Sequence, residues 1–172
     1  MKKYLFIALI SIFSCDELKK TSLSGFVFGT SYSIQFYTSS NSNYSNEIQN
    51  IFEEINLSMS TYHKNSIISL VNNNESVILD RHFKNVFHSS KKIYELTEGR
   101  FDPSIGLIVN YWGFGPEKFM IDADINKDDQ LGYLFSKIGL DKFKIIDDKL
   151  IRPNDSYIDF NAIAKGYAVD QI

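Results

Sequence analysis

The side chains with the clearest chemical potential lie in residues 159–170, near the end of the sequence. Asp159 ends an expected strand, and small residues then lead into an expected helix that carries Lys165. A helix N-terminus has unpaired N–H groups and the positive end of the helix dipole, which suit a phosphate. Lys165 would add a full charge, Asp159 could accept from a ribose or ring donor, and Ala162 would let a ligand approach the backbone. The alternative is a capping aspartate followed by a surface lysine.

A second stretch, residues 99–116, combines Trp, Tyr and Phe with several glycines. Such a loop could wall a flat heteroaromatic ligand, or its rings could pack on the core. Tyr62, after an expected helix, could reach the same cleft. His63 and His88 have no partner at a recognisable catalytic spacing and are interpreted as structural or exposed. The sequence contains no P-loop, zinc spacing or nucleophile elbow.

The order and spacing of these stretches resemble the ApbE family, the FAD:protein FMN transferases. The first matching segment, residues 59–72, begins Met-Ser-Thr-Tyr and ends in Asn. The second, residues 99–115, contains Gly-Arg-Phe-Asp-Pro and Trp-Gly-Phe-Gly. The third, residues 159–170, contains Ile-Ala-Lys-Gly-Tyr-Ala-Val-Asp. The resemblance extends from Gly29 to Asp170 and implies the family's fold, substrate and site residues.

The resemblance implies FAD-binding roles, residue by residue, at Phe28, Tyr62, Arg100, Phe101, Asp102, Asp159 and Lys165. It also implies that the backbone carbonyl of Ala162 is a Mg²⁺ ligand. The sequence departs from the family pattern in two places. Phe28 replaces a common Met, and Asn161-Ala162 stands where Gly-Gly or Gly-Ala is frequent. The resemblance assigns no catalytic residue within this sequence.

The activity implied by the resemblance is Mg²⁺-dependent cleavage of FAD. FMN would be attached through a phosphoester to a Thr or Ser of an acceptor flavoprotein, and AMP would be released. The implied acceptors are subunits of sodium-pumping NADH:quinone oxidoreductase or of Rnf-type complexes. Two alternatives stay open: a Mg²⁺-dependent FAD pyrophosphatase that gives FMN and AMP, and an inactive truncated lipoprotein that binds FAD.

Family members continue well past the last residue of this sequence, and the remaining Mg²⁺ ligands would lie in that continuation. Residues 162–172 also stop without an evident helix C-cap. The sequence is therefore expected to be roughly the N-terminal half of a flavin transferase.

The N-terminus has the features of a bacterial lipoprotein signal. Lys2 and Lys3 precede an uncharged apolar run at 4–13, which is too short to span a bilayer as a helix. Ser14 and Cys15, the only cysteine, complete a lipobox-like sequence. Residues 1–14 are predicted to be a signal peptide, Cys15 to be lipidated, and 15–25 to form a tether. This places the protein on the periplasmic side of a bacterial membrane, and Asp16 resembles an inner-membrane retention signal. An ordinary cleaved signal is the alternative.

The composition indicates a folded domain rather than a disordered or nucleic-acid-binding chain. The 172 residues are 44% hydrophobic, with 21 acidic and 18 basic side chains and a net charge of −3. Such a chain can bury a core, and it lacks the basic excess typical of nucleic-acid binding.

Helices and strands are mixed without a regular βαβ rhythm, which favours an α+β fold with a mainly antiparallel sheet. The family resemblance implies an ApbE-like, T-fold-related fold over 26–172, truncated at its C-terminus. A single bent strand is predicted over 26–37, followed by helices beginning near 45, 83 and 128. Short strands are predicted at 77–79 and 156–160, and a hairpin turning at Asp147-Asp148. A helix is predicted to begin near Ala162.

Overall fold

The computed structural model describes residues 18–39, 43–117 and 126–172. These residues contain helices and two small antiparallel sheets, which confirms the α+β prediction. The chain divides into two compact units between Tyr44 and Ser45. The elements in chain order are β1 Lys19–Val27, β2 Thr30–Thr38, α1 Ser45–Met59, α2 Ile67–Asn72, α3 Arg81–Leu96, α4 Gly106–Tyr111, α5 Lys127–Ser136, a 3₁₀ turn at Leu140–Lys142, β3 Lys144–Ile146, β4 Lys149–Ile151 and α6 Asn161–Asp170.

The first unit contains an antiparallel hairpin in place of the single bent strand predicted over 26–37. Val27 pairs with Thr30, and the two residues between them both have positive φ, 50° at Phe28 and 73° at Gly29. Positive φ at both central residues is the geometry of the two-residue turn that matches strand twist. The prediction was wrong because the turn reverses the chain and places Phe26 on the opposite face from Ile34.

Strand β1 begins at Lys19, inside the segment 15–25 that was predicted to form a tether. Its polar residues are extended because each lies opposite a residue of β2, from Lys19 and Thr38 onward. Gly25 lies opposite Tyr32, and a Cβ on Gly25 would lie 2.8 Å from the tyrosine ring. The absence of a side chain therefore leaves room for this aromatic ring across the hairpin.

The core of the second unit is formed mainly by α1, α3 and the segment 157–160 that precedes α6. Helix α1 buries Ile48, Phe52 and Ile55, and α3 buries Phe83 and Val86 at helical spacing, as predicted. The ring of Phe83 meets that of Phe160 edge to face, with centroids 5.2 Å apart. This contact fixes the residue that immediately precedes α6.

The ends of α3 follow local rules that were partly visible in the sequence. Asp80 caps the N-terminus, since its Oδ1 accepts from the Phe83 amide at 2.7 Å and from the Ser58 hydroxyl at 2.9 Å. Beyond the C-terminus, Gly99 has φ of 78° and donates its N–H to the Tyr94 carbonyl at 2.8 Å. The predicted helix stop at Gly99 is thereby confirmed.

Three predicted elements differ in the structure. The segment 99–116, which was predicted to be a loop, contains the short helix α4. The strand predicted over 77–79 is reduced to one hydrogen bond, from the Leu79 amide to the Asp148 carbonyl at 2.8 Å. The strand predicted over 156–160 forms only a parallel bridge between Ile105 and Tyr157. By contrast, the hairpin at Asp147-Asp148 is confirmed, with φ of 48° and 57°.

Candidate functional site

Several N–H groups at the start of α6 already donate to oxygen atoms of the protein itself. The Asp159 carboxylate accepts the Asn161 amide at 2.7 Å and the Asn161 side-chain amide at 3.0 Å. The amides of Ile163 and Ala164 donate to the Phe160 carbonyl at 2.9 and 2.8 Å. Three of the first four amides of α6 therefore already have acceptors. A phosphate at this helix end would therefore have few free amides to bind and would depend more on Lys165.

Lys165 and Ala162 are both exposed on α6, so each is accessible to a ligand. Burial raises the pKa of the Asp159 carboxyl, while hydrogen bonds from Asn161 and the positive charge of Lys165 act in the opposite direction. A carboxylate at this helix end repels a phosphate, so Asp159 is better suited to accept a hydrogen bond from a sugar or ring donor. Lys165 is the group suited to phosphate.

The segment immediately before α6 connects the three chemically distinctive stretches of the sequence. On one edge, the Asp159 amide donates to the Pro103 carbonyl at 2.8 Å, and Tyr157 forms its bridge with Ile105. On the other edge, the side-chain amide of Asn72 both donates to and accepts from the backbone of Ile158, each at 2.9 Å. The segment 157–159 is therefore the place where all three stretches meet.

Tyr157 lies buried in this junction. Its ring packs so closely on Gly106 that a Cβ there would lie 2.3 Å from the tyrosine Cδ1. Burial raises the pKa of the Tyr157 phenol to about 12. The phenol therefore stays neutral at physiological pH, and Gly106 is required by the close approach of the ring.

Asp102 forms a tight turn with Ser104. Its Oδ1 accepts from the Ser104 amide at 2.8 Å and from the Ser104 hydroxyl at 2.6 Å. The same hydroxyl oxygen accepts the Gly139 amide at 2.8 Å. The contacts of Asp102 shape the loop that leads into α4, and its predicted role in binding FAD stays a prediction.

The neighbouring predicted residues have more open surroundings. Arg100 forms an exposed ion pair with Glu98 at 3.3 Å and donates to the Thr97 carbonyl. The Phe101 amide donates to the Thr97 hydroxyl at 3.1 Å. The exposed guanidinium of Arg100 can exchange its weak surface pair for a ligand at little cost.

Two exposed aromatic side chains lie just after α4, and a third, Tyr62, lies after α1. Tyr62 is 65% exposed and its hydroxyl donates to the Phe114 carbonyl at 3.4 Å. Trp112 and Phe114 are 63% and 80% exposed. Two sequence stretches that are 52 residues apart are thus in contact. Trp112 and Phe114 are open to a ligand, whereas Tyr111 of the same stretch is buried in the core, so both interpretations of this stretch stay open.

Two predicted residues are not part of the second unit as the structure describes it. Phe28 belongs to the hairpin unit, where it occupies the turn before β2. Cys15 lies outside the described residues. The roles predicted for both stay predictions.

The described residues, 18–39, 43–117 and 126–172, contain no group of three or more His, Cys, Asp or Glu side chains that could hold a metal ion. The predicted role of the Ala162 carbonyl is supported only by the resemblance.

Sequence reasoning missed several polar residues that organise the site. His82 is buried on α3 and contacts Glu54 of α1 and Tyr167 of α6. The signal available in the sequence was that His82 is a polar residue at a position where an amphipathic helix would place an apolar one. Asn72 was recognised as the last residue of the family-like segment 59–72, but nothing in that segment indicated that it would pair with the backbone of Ile158. Arg152 contacts backbone carbonyls at 71, 72 and 156.

The family model for the ApbE family matches residues 28–172, which is most of the sequence. The chain belongs to the ApbE family. The earlier resemblance is confirmed by this match. As an ApbE family member, the chain is also 32% identical over 178 aligned positions to the FAD:protein FMN transferase of Haemophilus influenzae, covering 95% of the chain and 51% of that protein.

Solved ApbE structures agree with this fold. The flavin transferase ApbE from Vibrio cholerae is 31% identical, with a TM-score of 0.78, and the match covers 90% of this chain and 52% of that one. The apo flavinyl transferase ApbE of Pseudomonas stutzeri, at 22% identity and a TM-score of 0.79, supports the fold alone, with 90% of this chain and 51% of that one covered. The chain spans about half the length of the curated relatives it matches.

Proposed function

We propose that this ApbE family protein takes part in flavin transfer, in which FAD is cleaved and FMN is attached to a Thr or Ser of an acceptor flavoprotein. Relatives named FAD:protein FMN transferase support this proposal. The observation that carries it is the junction at 157–159. There, the stretch that contains Asp102 and the stretch that contains Asn72 are both hydrogen-bonded to the segment that leads to Lys165.

The proposed reaction exchanges one bond to phosphorus for another. The acceptor hydroxyl oxygen attacks the phosphorus on the FMN side of the pyrophosphate and loses its proton to solvent. A new phosphoester bond forms as the bridging P–O bond breaks, and AMP leaves with that oxygen. Lys165, exposed at the start of α6, would stabilise the negative charge on the phosphates. Asp159 would hold a donor on the ribose or ring.

The flavin or adenine ring would lie against the exposed aromatic side chains. The Tyr62 hydroxyl contacts the Phe114 carbonyl, so its ring lies beside this aromatic stretch, where a flavin or adenine ring can stack on it. Arg100, Phe101 and Asp102 complete the set of second-unit residues that we assign to FAD. The FAD contact of Phe28 is proposed from the family resemblance alone.

Magnesium dependence is proposed from the resemblance to the family. When bound, Mg²⁺ neutralises phosphate charge, and in such sites it takes few protein ligands besides phosphate oxygens and water. The Ala162 carbonyl is the proposed ligand within this chain.

We further propose that the protein is lipidated at Cys15 and held on the periplasmic side of a bacterial membrane, the inner membrane in particular. The acceptors would be flavoprotein subunits of sodium-pumping NADH:quinone oxidoreductase or Rnf-type complexes. None of the helices in the part of the chain that the structure describes has the length and apolar character needed to cross a bilayer. Palmitate labelling of cells that express wild type or Cys15→Ser tests the lipid anchor directly.

Release of AMP from FAD tests the enzymatic proposal. The chain from residue 15, with Cys15→Ser to prevent lipidation, is incubated with FAD with and without Mg²⁺, and nucleotides are separated by chromatography. Mg²⁺-dependent AMP, together with covalent flavin on an added acceptor subunit, is the expected result. AMP without covalent flavin would instead support a pyrophosphatase. FAD binding without AMP would support a binding lipoprotein, and neither binding nor release would contradict the proposal.

A further inference from the structure

We propose that Asn72 is a positioning residue, which holds Asp159 and the first turn of α6 in place for the ligand. The effect on FAD rests on the proposed function. Asn72 is the last residue of α2, and its side chain pairs with the backbone of Ile158 through both its polar atoms. Its Nδ2 donates to the Ile158 carbonyl and its Oδ1 accepts the Ile158 amide, each at 2.9 Å. A side-chain amide offers a donor and an acceptor side by side, as the edge of a strand does.

The opposite edge of the same segment is also paired. Asp159 donates its amide to the Pro103 carbonyl at 2.8 Å, and Tyr157 bridges to Ile105. Ile158 is fully buried, so water cannot replace a lost partner at its backbone. Asn72 therefore supplies the hydrogen bonds that a neighbouring strand would otherwise supply, and its removal would leave one edge of the segment unpaired.

Asn72 is itself held in register by Arg152. The guanidinium donates to the Asn72 carbonyl at 3.1 Å and to the Ser156 hydroxyl at 3.0 Å, and it also contacts the Val71 and Ser156 carbonyls. Burial lowers the pKa of Arg152, but an arginine stays charged at physiological pH. A cation at the C-terminal end of a helix is favourable. Arg152 thus ties the end of α2 to a residue just before Ile158.

The consequence reaches the ligand through Asp159. Asp159 directly follows Ile158, the residue that Asn72 contacts. The Asp159 carboxylate in turn accepts the backbone amide of Asn161, the first residue of α6. A small displacement of Ile158 therefore moves Asp159 and the start of the helix that carries Lys165. Misplacement of binding groups by about 1 Å is enough to reduce ligand affinity and rate strongly. Asn72 acts through these groups rather than on the ligand itself.

The test compares Asn72→Asp with Asn73→Asp, which introduces the same charge one residue later at an exposed position. The carboxylate introduced by Asn72→Asp would keep an acceptor for the Ile158 amide but would point an oxygen at the Ile158 carbonyl. Hydrogen exchange of the amides in 157–161 and the Kd for FAD, from flavin fluorescence, are measured on the Cys15→Ser protein.

For Asn72→Asp we expect exchange at 157–161 to be at least about tenfold faster and the Kd to be about tenfold higher, which corresponds to about 1.4 kcal/mol of binding free energy. Peptides from α1 and α3 should keep wild-type exchange rates, which a general loss of stability would not allow. Asn73→Asp should stay within about twofold of wild type in both measurements.

A second variant guards against misfolding of the first. Asn72→Gln keeps both the donor and the acceptor on a longer side chain and should show smaller changes in the same direction. If Asn72→Asp does not fold, Asn72→Gln is compared with Asn73→Gln. The proposal is overturned if exchange at 157–161 in the variant at 72 matches its control at 73. It is also overturned if exchange rises but the Kd for FAD does not. If wild type fails to bind FAD, the proposed function fails, and the exchange comparison still decides whether Asn72 holds the segment.

Discussion

The imidazole Nδ1 of His82 lies 2.8 Å from the hydroxyl oxygen of Tyr167, and its Nε2 lies 3.2 Å from a carboxylate oxygen of Glu54. These three side chains belong to α3, α6 and α1, so the histidine links three helices of the second unit. His82 is buried, whereas the Glu54 side chain is largely exposed. The contact between His82 and Tyr167 is therefore the part of the link that water reaches least.

Replacing Tyr167 by Phe should destabilise the fold. The change removes the hydroxyl and leaves Nδ1 of a buried imidazole without that partner, which costs about 1–3 kcal/mol. The free energy of unfolding from urea titrations at neutral pH measures the effect. Tyr133→Phe is the matched control, because Tyr133 is 52% exposed and its hydroxyl contacts Asp155 only at 3.5 Å. Equal losses in the two variants would contradict the importance of the buried pair.

Replacing Asp159 by Asn should raise stability at neutral pH. Burial raises the pKa of the Asp159 carboxyl in the folded state, so folding favours its protonated form. The stability that this preference contributes is present below the ordinary carboxyl pKa and is lost as the pH rises through the raised folded pKa. At neutral pH the charged group therefore costs stability, while an Asn keeps an acceptor for the Asn161 amide.

The Tm of wild type and Asp159→Asn, measured from about pH 4 to about pH 7, checks this sign. The difference in favour of the variant should grow as the pH rises, and affinity for FAD should fall because the carboxylate is gone. Asp155→Asn serves as a control, since Asp155 is exposed. A variant that is less stable than wild type at neutral pH and equal to it in acid would reverse the argument.

Replacing Lys165 by Ala should weaken FAD binding in a salt-dependent way. A hydrogen bond to a charged group contributes about 1.5–3 kcal/mol, so we expect a Kd roughly tenfold to a hundredfold higher. The difference from wild type should shrink as salt rises from about 50 to about 500 mM, because exposed charges are screened. Fluorescence titration with FAD gives the Kd. Lys144→Ala removes an exposed lysine of β3 and should have little effect, and a similar loss there would indicate only general electrostatic attraction.

Replacing Ser104 by Ala should destabilise the loop that leads into α4. The Ser104 hydroxyl is buried and connects the Gly139 amide to the Asp102 carboxylate at 2.8 and 2.6 Å. Its loss leaves a backbone N–H with one partner fewer, at a cost of about 1–3 kcal/mol. Urea titration measures the effect, and Ser136→Ala, at an exposed serine, should change stability by less than about 0.5 kcal/mol. A Ser104→Ala variant as stable as this control would show that the link is dispensable.

Much of the fold could be predicted because its signals are local. The helical spacing of Phe83 and Val86, the stop at Gly99 and the turn at Asp147-Asp148 each depend on residues that are close in sequence. The hairpin at Phe28 was missed because a bulky residue with positive φ is uncommon. The preceding polar residues also carried no hydrophobic alternation.

The residues of the candidate site could be predicted from the sequence, but most of the contacts between them could not. Asp159 and Lys165 were recognised from the strand-to-helix pattern and the motif they share. The sequence left a capping role for Asp159 open as an alternative, and the Asp159 carboxylate does accept the first amide of its own helix. Nothing in the sequence indicated that Asn72 would stand in for a strand beside Ile158. The pairing of Asn72 with Ile158 depends on packing that brings together residues 86 positions apart, which local patterns do not encode.

The pairing of Asn72 with Ile158 has a consequence for how the chain folds. The two residues are 86 positions apart, so their contact closes a long loop whose entropic cost grows only slowly with its length but must be met before the contact contributes. Helices α1 and α3 can form from nearby residues, whereas the junction needs segments from both ends of the second unit. During synthesis, the ligand site therefore cannot assemble until the residues around 158 have emerged from the ribosome.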